Sequence, residues 1–232
     1  MPPEFTLQVP KMVWPAIEYI TDAPVEELER LASFIATAAP CSDVEDLGEL
    51  CAEQTGVPAA RADDVISLAI GLNRLQREFG RAPGEILGMV SRALERADFP
   101  GWGDARGRAW EERRGILERM LDADGTVEAM SKARQLLYEF QCILRDTMVI
   151  TDTRHIYDRS GANLRGALVV HTLALQFSEG LEARQIHIAL SADDIEKLVA
   201  QLTRAQKKAE AAVALLQQTG IPELTPKRSL EP

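Results

Sequence analysis

The sequence has few of the residues on which catalytic and metal sites are usually built. It contains three histidines and three cysteines among 232 residues, and 5% of its residues are aromatic. Cys41, Cys51 and Cys142 are odd in number and widely separated, without a Cys-x-x-Cys pair or a Cys/His spacing typical of zinc. We therefore expect buried, reduced thiols rather than a metal site or a disulfide framework.

Long apolar runs and a basic excess are also missing. No window approaches about 18 uncharged apolar residues, and the N-terminus lacks the basic segment and apolar run of a secretory signal. The 36 acidic and 26 basic residues give a net charge of -10, so the long-range field repels phosphate backbones and anionic lipids. These features predict a cytoplasmic protein that binds neither nucleic acid nor a membrane.

Motifs that indicate a reaction are absent as well. The chain has no Gly-x-Ser-x-Gly and no His-Glu-x-x-His. The Gly-x-Gly-x-x-x-Gly run at 101–107 follows no strand and precedes no Lys-Ser/Thr, which favours a loop over a phosphate cradle. The acidic pairs Asp63-Asp64 and Asp193-Asp194 fall where helices are predicted to begin, and there carboxylates favour the helix dipole without acid–base catalysis. The sequence thus predicts a non-enzymatic protein without a cofactor.

Residues 1–125 are predicted to form a helical domain, although the first dozen residues start no clear element. Aliphatic side chains recur at helical spacing, and stop signals such as Pro40, Gly56 and Gly80 separate the stripes. The segment 98–107 is too rich in glycine for a regular element, so a loop is expected there. A connecting helix is predicted over 126–146. The predicted helix starts are near Pro24, at Ser42 or Asp43, at Asp63, at Pro83, at Arg108 and at Thr126.

From residue 147 to 220 the pattern changes to three strands and one helix. The hydrophobic period becomes 2, with strands ending near Tyr157, Phe177 and Leu190. A capping box, Ser191 with Asp194, then begins a long amphipathic helix. The fold class is therefore α+β: a mainly helical N-terminal bundle, then a three-stranded antiparallel sheet packed by a long C-terminal helix. Residues 221–232 are predicted to be a mobile tail.

This last third carries a family resemblance. The stretches Ile-Thr-Asp-Thr-Arg-His-Ile-Tyr-Asp at 150–158, Val-Val-His-Thr-Leu-Ala-Leu-Gln-Phe at 169–177 and Ile-His-Ile-Ala-Leu-Ser-Ala-Asp-Asp-Ile-Glu-Lys-Leu at 186–198 resemble the COMM domain. That family combines a helical N-terminal domain with a small dimerising module. The resemblance implies a bacterial scaffold protein whose module, 147–220, pairs with itself or with a related COMM-like chain.

The three histidines fall one per predicted strand and could in principle bind zinc. Alternation argues against this, because His171 shares a face with Leu173 and Leu175, whereas His187 alternates with Ile186 and points the other way. A single ion could not reach both imidazoles. The sequence therefore predicts ordinary strand histidines and no metal site.

The predicted sheet has a surface that needs a partner. The C-terminal helix would cover one face, while the other face and both edges would stay open. We expect self-association through residues opposite the helix-facing set, with strand one, and a non-enzymatic scaffold or adaptor function. The candidate interface residues are Val170, Thr172, Ala174 and His187.

A competing prediction places a ligand pocket in the helical domain. Trp102 and Trp110 flank the glycine-rich segment and could line such a pocket, although paired aromatic residues also anchor core edges. On this alternative the protein would be a small-molecule-binding regulator or an enzyme.

Overall fold

The computed structural model describes residues 7–122, 125–180 and 182–225, except the side chains of Asp104, Asp122 and Tyr138. The chain forms two compact units that divide between Leu137 and Tyr138, the second reaching Ile221. The helices before the sheet are α1 Trp14–Asp22, α2 Val25–Thr37, α3 Val44–Thr55, α4 Ala59–Phe79, α5 Pro83–Arg96, α6 Gly107–Asp122 and α7 Thr126–Tyr138.

The predicted helix ends are confirmed where glycine supplies a left-handed residue. Gly56 and Gly80 end α3 and α4 with φ of 77° and 60°. The end of α7 was predicted wrongly. It stops at Tyr138 instead of residue 146, because Cys142 already pairs with Glu179 in a sheet. Strand pairing satisfies the backbone there and overrides the local helical spacing.

The core of the first unit is built around α1. Ala16, Ile17 and Ile20 are fully buried, and the helix contacts both α4 and α6. Apolar residues from all seven helices join the same cluster, which extends to Met130. Ser131 ties α7 to α4, since its hydroxyl donates to the Ile70 carbonyl at 3.2 Å. The first unit therefore buries its apolar stripes within itself.

The glycine-rich segment is more regular than predicted. Trp102–Arg106 forms a π-helical turn that leads directly into α6. A Cβ added at Gly107 would lie 2.4 Å from the Trp102 carbonyl oxygen, so only glycine fits where the π turn closes. The close approach of the Trp102 carbonyl thus explains why position 107 is a glycine. Gly101 has a φ of 74°, in the left-handed region that favours glycine.

The second unit is a meander followed by one helix. Strands β1 Cys142–Tyr157, β2 Leu164–Glu179 and β3 Glu182–Leu190 form an antiparallel sheet in the order β1-β2-β3. Helix α8, Ala192–Thr219, begins at the predicted Ser191–Asp194 capping box, where the Asp194 amide donates to the Ser191 hydroxyl at 3.2 Å. The α+β fold class is confirmed. Of the predicted tail, 221–225 has no regular structure, and 226–232 lies outside the described residues.

Asp63 does not lie at a helix start, contrary to prediction. Helix α4 begins four residues earlier, at Ala59, and its first turn has no acidic residue. Asp63 instead packs against α3: a Cβ built on Gly48 would lie 1.7 Å from its Oδ1 atom. That atom is buried and has no hydrogen-bond partner among the described residues. Burial, with the nearby Glu45, raises the pKa of the Asp63 carboxyl to about 6.

We predict that Gly107→Ala destabilises the protein by about 1–3 kcal/mol, because the new methyl group meets a backbone oxygen that cannot move alone. Gly103→Ala is the matched control. A Cβ at Gly103 meets no atom within 4 Å, so its effect should stay within about 0.5 kcal/mol. Urea unfolding followed by circular dichroism measures both. Equal stability of the two variants would contradict the close approach.

We further predict that Asp63→Asn raises the melting temperature at pH 7.5, and that this gain shrinks as the pH falls toward 4. The folded-state pKa of about 6 lies above the usual value of 3.8, so folding favours the protonated carboxyl and wild-type stability declines as pH rises between these values. Glu78→Gln is the control, since Glu78 makes an exposed ion pair with Arg74 at 4.0 Å on the same helix. Thermal scans across this range measure the difference between the variants. A gain in melting temperature that does not depend on pH would contradict the raised pKa of Asp63.

Candidate functional site

The four predicted interface residues lie on one face of the sheet. Val170, Thr172 and Ala174 alternate along β2, and the register places His187 of β3 opposite Ala174. On the other side of β2, Ala174 pairs with Met148. We call this surface the Thr172 face. It contains the even-numbered residues 166–178 of β2 and their register partners on β1 and β3.

These four residues differ in how far they are buried. His187 is exposed, Val170 and Thr172 are half-buried, and Ala174 is 2% exposed. Ala174 is the smallest of them and sits between longer neighbours on both flanking strands, so those side chains shield it. The structure therefore brings the predicted residues together, but Ala174 lies at the floor of the surface instead of projecting from it.

The opposite surface, the Leu173 face, contains the odd-numbered residues 167–177 of β2 and their register partners. It carries the residues predicted to face the C-terminal helix. Leu173, Leu175 and Phe177 are only half-buried, while Ile186 and Ile188 of β3 are 43% and 40% exposed. This face is apolar, and water still reaches it.

Helix α8 covers little of the sheet. It packs against β3, the strand it follows, yet none of its residues is buried. Leu198, Val199 and Leu202, from the predicted core-facing stripe, are 40%, 59% and 64% exposed. The expectation that one sheet face would be fully covered is therefore met only in part. A single helix touching one edge strand leaves most of the stripe in water.

The two units differ sharply in how they bury apolar side chains. Among described residues, Ala174 is the one buried hydrophobic residue of the second unit, whereas the core cluster lies wholly in the first. Large exposed hydrophobic side chains show the reverse distribution: of the residues that the structure describes in the first unit, only Met12, Val25, Leu50 and Leu136 belong to that group. The second unit thus presents apolar surface from both sheet faces and from α8.

The histidines do not converge. The register places His171 and His187 on opposite faces, as alternation predicted. The Nδ1 atom of His171 shares a hydrogen bond of 2.9 Å with the Thr151 hydroxyl on β1. Within the described ranges, no three His, Cys, Asp or Glu side chains cluster in a way that could hold a metal ion.

The two tryptophans of the competing prediction belong to the core. Trp110 is fully buried and Trp102 is 6% exposed. They continue an aromatic row that starts with Trp14 and Phe99, in which successive ring centroids lie 5.1, 5.9 and 5.7 Å apart. The burial of both rings argues against a ligand pocket at these tryptophans, and that alternative stays a prediction from the sequence.

The three cysteines differ in burial. Cys51 is buried, and burial raises the pKa of its thiol, but Cys41 is half-buried and Cys142 exposed, which corrects the expectation of three buried thiols.

The stretch 106–119 contains five arginines interleaved with acidic residues. Three of them form ion pairs: Arg106 with Asp22 at 2.7 Å, Arg114 with Glu111 at 3.1 Å, and Arg119 with Glu29. The segment is therefore neutralised locally and forms no basic patch.

Sequence reasoning missed a solvent-open groove of about 780 Å³ in the first unit, lined by residues of α4, α5 and α6. Arginines contribute four of its lining side chains: Arg81, Arg92, Arg96 and Arg114. The available signal was a stripe at four-residue spacing along α5, in which Gly84 and Gly88 precede Arg92 and Arg96. This face of α5 therefore carries two glycines in its first half and two arginines in its second half.

Comparisons with known proteins do not assign a family. No protein-family model matches the chain, and no curated protein matches it in sequence. None of the described helices is both long enough and apolar enough to cross a bilayer. The resemblance to the COMM domain therefore stays a prediction from the sequence.

Proposed function

We propose that this protein is a non-enzymatic interaction protein of COMM-like type that dimerises through its sheet-and-helix unit. One observation supports the proposal: the described residues of the second unit, Tyr138–Ile221, form almost no hydrophobic core of their own. A three-stranded sheet with a single helix is stable only when its apolar faces are buried. Association supplies the missing burial.

A second copy of the chain fits this surface better than a strongly charged partner. The second unit contains ten acidic and nine basic residues, although the whole chain carries a net charge of -10. Two nearly neutral, apolar surfaces meet without strong electrostatic repulsion. Because such a pairing can be isologous, each copy would cover the same exposed set on the other.

The sheet edges support the same proposal. Within the described residues, β1 and β3 each have one edge without a strand partner. Such edges offer unpaired backbone groups to another chain. Polar and charged residues on β1, including Asp152 and Arg154, disfavour open-ended strand pairing along that edge.

The wild-type protein should have a molar mass twice that of the 25.6 kDa chain at tens of micromolar. Val199→Asp with Leu202→Asp should shift the mass toward that of the monomer, because two charges would replace exposed apolar residues of α8. Leu50→Asp is the matched control on α3, where the leucine is 39% exposed in a unit with its own core. Light scattering after size exclusion measures all three proteins. A monomeric wild type would contradict the proposed dimerisation.

A separate pair of substitutions tests the Thr172 face. Thr172→Lys with Ala174→Lys should weaken the dimer at least about tenfold, because lysines would replace a half-buried and a fully buried residue there. Amide hydrogen exchange over 142–190 shows whether the sheet itself stays formed. An unchanged dissociation constant with an intact sheet would exclude this face and leave the Leu173 face and α8 as the interface.

A further inference from the structure

Two of the four arginines that line the groove of the first unit have no acidic partner among the described residues. Of its four arginines, Arg81 pairs with Glu85 at 3.3 Å, and Arg114 pairs with Glu111 at 3.1 Å and Glu118 at 3.2 Å. Arg92 and Arg96 form no ion pair or hydrogen bond within the part of the chain that the structure describes. Two exposed guanidinium groups thus remain available at one groove, in a protein whose overall charge is negative.

The geometry of α5 places these two cations side by side. Residues four apart on a helix lie about 6 Å apart on the same face, so Arg92 and Arg96 can both reach a single small anion. The guanidinium group presents paired donors that match the oxygens of a phosphate. Arg114 also lines the groove, where its position is fixed by Glu118 and by donation to the Gly84 carbonyl.

Glycine keeps the groove open along the same helix. Gly88 lies one turn before Arg92 and leaves the space beside the arginines empty. A Cβ added there would meet Arg92 at 3.7 Å and Arg114 at 3.8 Å, which are ordinary contacts. A longer side chain at this position would therefore project between these guanidinium groups and occupy the groove without straining the helix.

An apolar wall completes the groove. Leu7, Phe79 and Met89 line it together with the arginines, and all three are half-buried. A volume of about 780 Å³ is within the range of small-molecule sites. A site lined both by cations and by aliphatic and aromatic side chains matches a ligand with an anionic head and an apolar body.

We propose that this groove binds a small phosphate monoester with an apolar or aromatic body, with Arg92 and Arg96 as its phosphate ligands. Every residue invoked belongs to the first unit, so the inference is independent of dimerisation through the second. The ligand class follows from the pairing of a dianionic head with two adjacent guanidinium groups, and its body from Phe79 and Met89.

Isothermal titration of the full chain with 1-naphthyl phosphate tests the proposal. We expect saturable binding that weakens at least about tenfold in Arg92→Gln/Arg96→Gln, because the head loses two charge-assisted contacts. The control is Arg61→Gln/Arg74→Gln, which removes the same charge from exposed positions of the first unit outside the groove and should bind like wild type. Circular dichroism and the melting temperature verify that both variants fold.

Gly88→Leu provides a variant that keeps every arginine. It should abolish binding of 1-naphthyl phosphate by filling the groove, while the melting temperature stays at or above that of wild type, because leucine replaces glycine within a helix. Inorganic phosphate should bind more weakly than the aryl ester, and 1-naphthol should not bind detectably.

The contrary outcomes are equally defined. Absence of saturable binding by wild type up to about 10 mM, or equal loss in the arginine variant and its control, would overturn the site. Inorganic phosphate binding as tightly as the ester would overturn the role of the apolar wall. Tight binding of 1-naphthol would overturn the role of the arginines.

Discussion

The second unit is governed by a simple constraint: an amphipathic sheet and an amphipathic helix must bury their apolar sides against something. In this chain β1, β2 and β3 bring apolar residues to both sheet faces, and α8 adds a further stripe. Contact between α8 and β3 covers only a small part of this surface, and Ala174 is the one buried hydrophobic residue among those described there. Hydrophobic burial is the dominant favourable term in folding, so this deficit is the physical basis for association.

The first unit solves the same problem internally. Seven helices share one cluster around α1, and the aromatic row from Trp14 to Trp110 fills its interior. Long-range ion pairs, such as Arg106 with Asp22, connect its elements at the surface. A unit closed in this way has little apolar surface left for a partner. Its remaining distinctive surface is the arginine-lined groove, whose chemistry suits an anion.

Much of the fold followed from local rules. Glycine at helix ends, the Ser191–Asp194 capping box and the change of hydrophobic period each act within a few residues, so helix ends and strands were predictable. The errors arose where contacts between residues distant in sequence determine the local structure. The start of β1 depends on pairing with β2, and the π turn at Trp102–Arg106 depends on how its carbonyl meets Gly107. Asp63 was misplaced because the start of α4 was set four residues too late.

The sequence by itself determined the α+β class, the opposite orientation of His171 and His187, and the shared face of Val170, Thr172 and Ala174. These follow from periodicity, which is a local property of the backbone. Only the tertiary structure decided that α8 leaves the sheet largely exposed, that Trp102 and Trp110 are core residues, and that four arginines line one groove. Such outcomes depend on how elements distant in sequence fill space together, and no single segment encodes that.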